Sequence, residues 1–160
     1  MTKICMFTTI HSEQETKQLA AEFASTLRGG EVVFLHGDLG SGKTTFVRGV
    51  AQALGFSQPV RSPTFTIVNR YPVDREGIKL ILHADLYRIE DSDELVPLAL
   101  EEELGRPEIV TFIEWPEKAK GLLPEPSCTL TFVIDGDVRH IILSLPHSSP
   151  PQSLSDHQAL

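Results

Sequence analysis

Cysteine is scarce in this chain, and its two cysteines, Cys5 and Cys128, lie far apart in the sequence. Two thiols are too few for a disulfide scaffold or for a zinc site. No run of apolar residues reaches the roughly 18 that a membrane span requires, and the N-terminal stretch MTKICMFTTIHSEQ lacks the long apolar segment of a secretory signal. We therefore expect a cytoplasmic protein without a membrane anchor.

Basic residues are also few compared with acidic residues. The chain has 14 Lys and Arg residues against 22 Asp and Glu residues, which gives a net charge of −8. Such a protein repels a bare phosphate backbone, so we do not expect it to bind nucleic acid alone. A basic partner protein could still bring it to nucleic acid.

The length and composition predict one domain. A chain of 160 residues with 41% hydrophobic residues can form a single core. After Leu145 the composition changes to PHSSPPQSLSDHQAL, in which proline, serine and polar residues dominate. We predict a folded domain over residues 1–146 and a disordered tail over residues 147–160.

Glycine, in contrast, is concentrated in the stretch GDLGSGKTTF, residues 37–46. It matches the P-loop pattern G-x-x-x-x-G-K-[ST], follows an apolar segment typical of a buried strand (EVVFLHG) and precedes helical spacing (KTTFVRGVAQALG). Glycines let successive N–H groups approach an anion, and the helix N-terminus favours the same negative charge. The predicted triphosphate site consists of Gly37, Asp38, Leu39, Gly40, Ser41, Gly42, Lys43, Thr44 and Thr45.

Within this loop, two residues are expected to act on specific parts of a magnesium nucleotide. Lys43 would contact the β- and γ-phosphates, and the Thr44 hydroxyl would bind Mg²⁺. A P-loop also needs a carboxylate at the end of a neighbouring strand. Asp85 and Glu114 both follow apolar strands, LILHAD and IVTFIE. We assign Glu114 to the metal and Asp85 to the attacking water or a switch segment, with a solvated strand-end acid as the alternative for each. The candidate catalytic residues are thus Lys43, Asp85 and Glu114.

The hydrophobic pattern predicts an α/β fold. A first helix over HSEQETKQLAAEFASTLRGG would begin with a capping box formed by Ser12 and Glu15. A second acidic helix, DSDELVPLALEEELG, would be capped by Asp91 or Ser92, with Pro97 near its first turn. EIVTFIEW is a predicted buried strand, and PEKAKG after it is a predicted short helix.

Two hairpins are expected. The β-rich runs TFTIVNRYP and IKLILHADLYRI are separated by VDREG, and CTLTFVI and VRHIILSL flank DGD. His36 and His83 adjoin these motifs, and we interpret both as packing residues because the six histidines show no metal-like spacing. The run Glu101–Glu103 is interpreted as a solvated helix face.

Two sequence features that are absent narrow the type of P-loop protein. The sequence has no Asn-Lys-x-Asp segment, with which GTP-binding proteins recognise guanine, so ATP is the favoured nucleotide. It also has no arginine-rich insert of the kind that forms the lid of small-molecule kinases. The remaining class is a minimal ATPase, in which ATP hydrolysis drives a conformational change or the turnover of a partner protein. A stand-alone metabolite kinase and a nucleotide-sensing adaptor are the alternatives.

Several motifs together closely resemble one known family. GDLGSGKTTFVRG, SPTFTIVNRY, HADLYRI, FIEWPEK and LLPEP occur in the order and at the spacing of the bacterial TsaE (YjeE) family, across about residues 8 to 145. The resemblance implies a P-loop NTPase fold, three-layered, with a mixed central sheet flanked by helices. It also implies Mg²⁺-dependent ATP hydrolysis that is weak in isolation.

The same resemblance implies a role in tRNA modification. In this family the ATPase acts with the threonylcarbamoyltransferase TsaD and its paralogue TsaB, and ATP turnover resets their complex between rounds of N6-threonylcarbamoyladenosine formation at adenosine 37. Contact with tRNA is indirect, through that complex.

Further site residues follow from the resemblance. The metal carboxylate of the family corresponds to Glu114, and its HxDxYR motif to His83, Asp85, Tyr87 and Arg88. Its switch-like SPT segment corresponds to Ser62, Pro63 and Thr64. Trp115 would by burial habit be a core residue, whereas the family's Glu-Trp-Pro sequence favours a switch or interface contact. Thr16 and Arg139 are further candidate nucleotide contacts, with a helix-surface threonine and a strand-surface arginine as the alternatives.

Overall fold

A seven-stranded mixed β-sheet forms the centre of the computed structural model, which describes residues 3–146. The predicted tail, residues 147–160, lies outside the described residues. The strand order is β1-β7-β6-β2-β5-β4-β3. β2 runs parallel to β5 and β6, and β4 runs parallel to β5, while the remaining pairs are antiparallel. The strands are β1 Lys3–Ile10, β2 Val32–His36, β3 Val68–Arg75, β4 Ile78–Asp85, β5 Ile109–Glu114, β6 Cys128–Asp135 and β7 Val138–Leu145.

Two α-helices cover one face of the sheet. They are α1, Glu13–Thr26, and α2, Lys43–Ala53. They pack closely because Gly49 has no side chain: a Cβ atom at this position would lie 2.7 Å from Cβ of Ala20. The aromatic rings of Phe23 and Phe46 lie between these helices and the sheet, with ring centroids 5.5 Å apart.

Three short 3₁₀ helices, Ser92–Leu98, Leu100–Glu102 and Pro116–Ala119, follow the strands on the other side of the sheet. Leu95 of the first and Ala119 of the third belong to a second apolar cluster that includes Leu86, Ile89 and Ile113. Leu100 of the second belongs to a smaller third cluster with Leu82 and Ile109. The chain thus forms the three layers expected from the sequence.

The acidic segment was expected to be one helix, and this expectation is wrong. It forms two 3₁₀ helices separated by Ala99, which has a left-handed backbone (φ 48°). Pro97 lies near the end of the first of them, where it has no N–H to continue the ladder. Asp91 is the cap, and Glu94 completes a capping box with it.

Four further details differ from the sequence prediction. β3 continues to Arg75, so the hairpin turn is formed by residues 76–77 and not by the whole of VDREG. Residues 64–66 form turns where the start of a strand was expected. β1 was not predicted at all. At the start of α1, the Ser12 hydroxyl accepts from the Glu15 N–H, but the Glu15 carboxylate accepts from the His11 N–H and so completes no capping box with Ser12.

Both outer strands of the sheet are irregular. β3 contains Pro72 and a register shift between Pro72 and Arg75, and β1 has a register shift between Ile4 and Met6. Within residues 3–146, no helix combines the length and the apolar character that crossing a membrane requires.

Candidate functional site

The glycine-rich loop joins the central strand β2 to helix α2. Gly37 follows the strand with φ 146°, and a Cβ atom at this position would lie 2.7 Å from the carbonyl oxygen of Phe132. Gly42 caps α2 in the left-handed conformation (φ 105°). A side chain would therefore strain or block the loop at both ends. The N–H groups at the start of a helix have no carbonyl partner within it and can bind an anion. In this loop the N–H of Ser41 donates to the carbonyl of Asp38, and that of Phe46 donates to the carbonyl of Gly42.

Lys43 is the first residue of α2 and is only 5% exposed. Its Nζ atom donates to the carbonyl oxygen of Gly37 and lies 3.5 Å from that of Asp38. The same atom lies 4.4 Å from the ring centroid of Trp115, which is a cation–π distance. Burial lowers the pKa of Lys43, and the negative charges of Glu114 and Asp85 oppose this shift. A phosphate group bound in the loop would give this buried ammonium an anionic partner.

Glu114 and Asp85 lie side by side at the carboxyl ends of the parallel strands β5 and β4, where the register pairs them directly. Both are 3% exposed. Thr44 donates its hydroxyl to Oε1 of Glu114 at 3.1 Å, and Thr64 donates to Oδ2 of Asp85 at 3.1 Å. The backbone N–H of Tyr87 donates to the other oxygen of Asp85 at 3.0 Å. Glu114 thus contacts the P-loop, whereas Asp85 contacts the SPT segment.

The donor atoms fit a magnesium ion that is shared with phosphate. The Thr44 hydroxyl keeps its oxygen lone pairs free while its proton is directed to Glu114. Mg²⁺ prefers oxygen ligands and is usually held by one or two carboxylates together with phosphate and water. Within residues 3–146, no group of three His, Cys, Asp or Glu side chains forms a cage for a metal ion. The residues could therefore hold Mg²⁺ together with a nucleotide, through Thr44 and Glu114.

Two clefts flank the P-loop. One, the candidate metal-side cleft of about 240 Å³, is lined by Thr44, Ser62, Thr64, Asp85 and Glu114 together with the loop. The other, of about 300 Å³, lies on the opposite side, where it is bordered by Gly40–Gly42 and Thr45. Thr16 and Arg139 both line this second cleft, as do His11 and Asp137. The structure therefore brings the two candidate nucleotide contacts to the P-loop.

The remaining predicted residues surround the metal-side cleft. Trp115 has a left-handed backbone (φ 57°), and its ring packs against that of Tyr87 at 5.1 Å. The Arg88 guanidinium lies over the ring of Phe65, which is 83% exposed. In the SPT segment, the hydroxyls of Ser62 and Thr64 are 2.7 Å apart, and Pro63 accepts a hydrogen bond from the N–H of Ile67.

The two histidines near the motifs differ. His83 is fully buried and contacts Oε1 of Glu114 at 2.8 Å. His36, at the end of β2, is partly exposed and lies 3.4 Å from Glu117. Of the acidic run, Glu101 and Glu102 are exposed, whereas Glu103 forms an ion pair with Arg70.

Tyr71 is a neighbour of this site that sequence reasoning missed. It lies on β3, and its hydroxyl contacts His83 at 3.3 Å. The only sequence signal is the alternation along VNRY, which puts Asn69 and Tyr71 on one face of the strand. The alternation of residues along β3 does not show which face of the sheet carries the site.

A glycine loop between a parallel strand and a helix, with carboxylates at the ends of the neighbouring strands, defines the fold of P-loop NTPases. The family model for threonylcarbamoyl adenosine biosynthesis protein TsaE matches residues 10–141. The chain belongs to the TsaE family, which takes part in tRNA threonylcarbamoyladenosine biosynthesis.

Individual relatives agree with this assignment. The TsaE protein of Aquifex aeolicus is 47% identical over 113 residues, which cover 69% of this chain and 77% of that protein. The TsaE protein of Rickettsia bellii is 40% identical over 134 residues, covering 82% and 90% respectively. The crystal structure of YdiB from Bacillus subtilis superposes with a TM-score of 0.74 at 29% identity, covering 91% of this chain and 87% of YdiB. The family and the α/β P-loop fold predicted from the sequence are confirmed.

Proposed function

We propose that this chain is a Mg²⁺-dependent ATPase that serves tRNA threonylcarbamoyladenosine formation by resetting a TsaD–TsaB transferase complex between rounds. One observation carries the proposal. The buried ammonium of Lys43 and the hydrogen-bonded Thr44–Glu114 pair line one cleft at the start of α2, together with the glycine loop. A triphosphate with its magnesium ion would neutralise all of these groups at once. We further propose that residues 1–146 form the single ATPase domain.

The roles follow from the contacts. The loop from Gly37 to Thr45 binds the phosphates, and Lys43 stabilises the charge that develops on the transferred phosphoryl group. Thr44 and Glu114 hold the metal. The Thr44 hydroxyl donates to Glu114, whereas Asp85 accepts from Thr64, so Asp85 positions the attacking water or the SPT segment.

The nucleotide would extend from the P-loop into the cleft of Thr16 and Arg139. Its base would lie there, on the side away from the metal. ATP is favoured over GTP because the sequence has no Asn-Lys-x-Asp segment. The mixed polar lining of this cleft suits a ribose and a base edge.

Slow hydrolysis in isolation is expected from the lining of the metal-side cleft. Among the described residues that line it, none is an arginine. An arginine finger typically raises phosphoryl-transfer rates by about 10³ to 10⁵. A TsaD–TsaB partner would supply this charge or order the segment Ser62–Thr64. Phe65 and Arg88, beside that segment, are available for such a contact.

Phosphate release measured with and without the TsaD–TsaB pair tests the proposal. We expect slow release by the chain alone, stimulation by the pair, and no release from Lys43→Ala in either case. In a reconstituted tRNA modification assay, the wild type should sustain several rounds and Lys43→Ala should not.

Two outcomes would reject the proposal. Transfer of the γ-phosphate to a metabolite, without equivalent inorganic phosphate, would identify a kinase. Nucleotide-dependent binding to the partners without turnover would identify an adaptor.

A further inference from the structure

A buried line of hydrogen bonds leaves the metal-side carboxylate and crosses the sheet. The Nε2 atom of His83 lies 2.8 Å from Oε1 of Glu114. The Nδ1 atom of the same ring lies 3.3 Å from the hydroxyl of Tyr71. This hydroxyl also lies 3.0 Å from the backbone carbonyl of Arg61, and it donates its one proton either to that carbonyl or to Nδ1 of His83. Three contacts thus connect Glu114 to the residue before Ser62.

The strand register explains how these side chains meet. Asn69 on β3 is paired with His83 on β4, and Tyr71 is two residues further along β3 on the same face. His83 is paired with Phe112 on β5, and Glu114 is two residues further along that strand. Three neighbouring strands therefore present the three side chains on one face of the sheet.

The line is almost completely shielded from solvent. His83, Tyr71 and Glu114 are all buried, and the Phe56 ring packs against that of Tyr71 at 5.1 Å. A hydrogen bond in such surroundings is stronger than one in water, and a group that loses its partner pays its full desolvation cost. Each member of the line is therefore sensitive to the position of the next.

The far end of the line is the start of the SPT segment. The Arg61 carbonyl also accepts from Nδ2 of Asn69 at 3.2 Å. Three residues later, Thr64 donates to Asp85. Residues 61–64 are thus attached at one end to Glu114, through His83 and Tyr71, and at the other end directly to Asp85.

We propose that His83 and Tyr71 are positioning residues that couple the Glu114 carboxylate to residues 61–64. This rests on the proposed function, since Mg²⁺–ATP is the ligand that would fix Glu114. A carboxylate held by the cation fixes the His83 ring, and the Tyr71 hydroxyl then holds Arg61. The SPT segment becomes ordered around Asp85 when the metal site is filled.

Tyr71→Phe tests the coupling, because it removes the hydroxyl and keeps the ring that packs against Phe56. We expect kcat for ATP hydrolysis to fall about fivefold, the factor expected for one lost hydrogen bond, with KM for Mg²⁺–ATP within twofold of wild type. If Tyr71 had a purely structural role, Tyr71→Phe would lower the melting temperature without lowering kcat at an unchanged KM. A kcat within twofold of wild type would overturn the proposal.

Hydrogen exchange of the amides of residues 61–67 gives a direct readout. Addition of Mg²⁺ and a non-hydrolysable ATP analogue should slow exchange there in the wild type but not in Tyr71→Phe. Thr111→Val is the matched control: it removes another fully buried hydroxyl of the sheet, one without a hydrogen-bond partner in the described part of the chain. It should behave as the wild type in both assays.

Two changes at His83 separate the two contacts of its ring. His83→Gln keeps an N–H near the Nε2 position, towards Glu114, and His83→Asn keeps one near the Nδ1 position, towards Tyr71. The Gln variant should retain the Mg²⁺ dependence of nucleotide binding and lose protection of residues 61–67. The Asn variant should require severalfold more Mg²⁺. If the folded Gln and Asn variants showed the same Mg²⁺ dependence and the same protection of residues 61–67, the proposed coupling would be overturned.

Failure of the proposed function would be recognised separately. If the wild type hydrolyses no ATP even with the TsaD–TsaB pair, the ATPase proposal fails. Amide hydrogen exchange without nucleotide still tests the hydrogen bonds from Glu114 to Arg61: the amides of residues 61–67 should exchange faster in Tyr71→Phe than in Thr111→Val. Equal exchange in the two variants would reject the coupling.

Discussion

At the scale of single residues, the two strand-end carboxylates are distinguished by what they contact. Both are buried at the same edge of the sheet, and their backbones are directly paired. The Thr44 hydroxyl donates to Glu114, whereas the Thr64 hydroxyl and the Tyr87 N–H donate to Asp85. The sequence places both acids at strand ends, and the division of roles assigned from it stays a prediction, because the side-chain partners that distinguish the two come from other segments.

Substitution of each carboxylate should therefore give a different defect. Glu114→Ala or Thr44→Ala should weaken the Mg²⁺ dependence of nucleotide binding, because the metal loses an oxygen ligand or the group that orients it. Asp85→Ala should leave nucleotide affinity largely intact and lower turnover. Calorimetric titrations at several Mg²⁺ concentrations, together with phosphate release, check this. If Asp85→Ala abolishes Mg²⁺-dependent binding instead, the two roles are reversed.

Trp115 provides an optical probe at the same scale. It is the only tryptophan in the chain, and the Lys43 ammonium lies over its ring. Phosphates bound in the loop should draw the ammonium away from the ring and change the emission. We predict a saturable fluorescence change on titration with Mg²⁺–ATP and none with Mg²⁺ alone. Unchanged emission under conditions where calorimetry detects binding would contradict the contact.

At the scale of elements, the packing of α1 against α2 depends on Gly49. Alanine is the better helix former by up to about 1 kcal/mol, but its Cβ would lie 2.7 Å from Cβ of Ala20 and 3.1 Å from Cα of Lys17. Overpacking typically costs about 1 to 3 kcal/mol.

We therefore predict that Gly49→Ala lowers the free energy of unfolding by about 1 to 2 kcal/mol in urea denaturation, the overpacking cost exceeding the helix gain. Adding Ala20→Gly should recover part of this loss. No recovery in the double variant would show that the clash is with the Lys17 backbone.

The 3₁₀ segment after β4 is tied to β3 by one ion pair. Arg70 donates through Nε to Glu103 at 3.1 Å and through a second nitrogen to the other carboxylate oxygen. The hydrogen bond from Arg70 lowers the pKa of Glu103 below 4.5. Since the folded-state pKa is depressed, the stabilisation is present above pH 4.5 and is lost as the pH falls through the lowered value.

Arg70→Ala should accordingly destabilise the protein by about 0.5 to 1 kcal/mol at neutral pH, as expected for a partly exposed pair. The difference from wild type should shrink as the pH falls below 4.5. Urea denaturation of both proteins at several pH values measures this. Glu103→Gln, compared in the same way, should remove the pH dependence of the difference. A difference that stays constant with pH would reject the pair as its cause.

The elements that the sequence predicted well are those whose pattern is local. The P-loop, α1, α2, β5 and the β6–β7 hairpin follow from apolar runs, glycine turns and caps, and the structure confirms them. β1 has no clear sequence signal because half of its residues are exposed and because its pairing with β7 joins residues 129 to 142 positions apart. The acidic segment was taken for a single α-helix because its spacing is helical, although Pro97 prevents a continuous ladder.

At the scale of the whole molecule, the fold brings three separate segments to one edge of the sheet. The P-loop, the SPT segment and the carboxyl ends of β4 and β5 meet there because β2, β5 and β4 are parallel neighbours. The P-loop motif predicts that a strand ending in a carboxylate lies beside β2, and LILHAD and IVTFIE were its two candidates. The contact between β3 and the site could not be predicted, because Tyr71 reaches His83 only through an antiparallel pairing that composition does not reveal.

The irregular outer strands determine how other chains can approach the molecule. A regular outer strand offers a free hydrogen-bonding ladder on which an extended peptide, or a second copy, can add as a further strand. Pro72 and the register shifts in β3 and β1 interrupt both ladders. Fibril growth by sheet extension is thereby disfavoured at both edges.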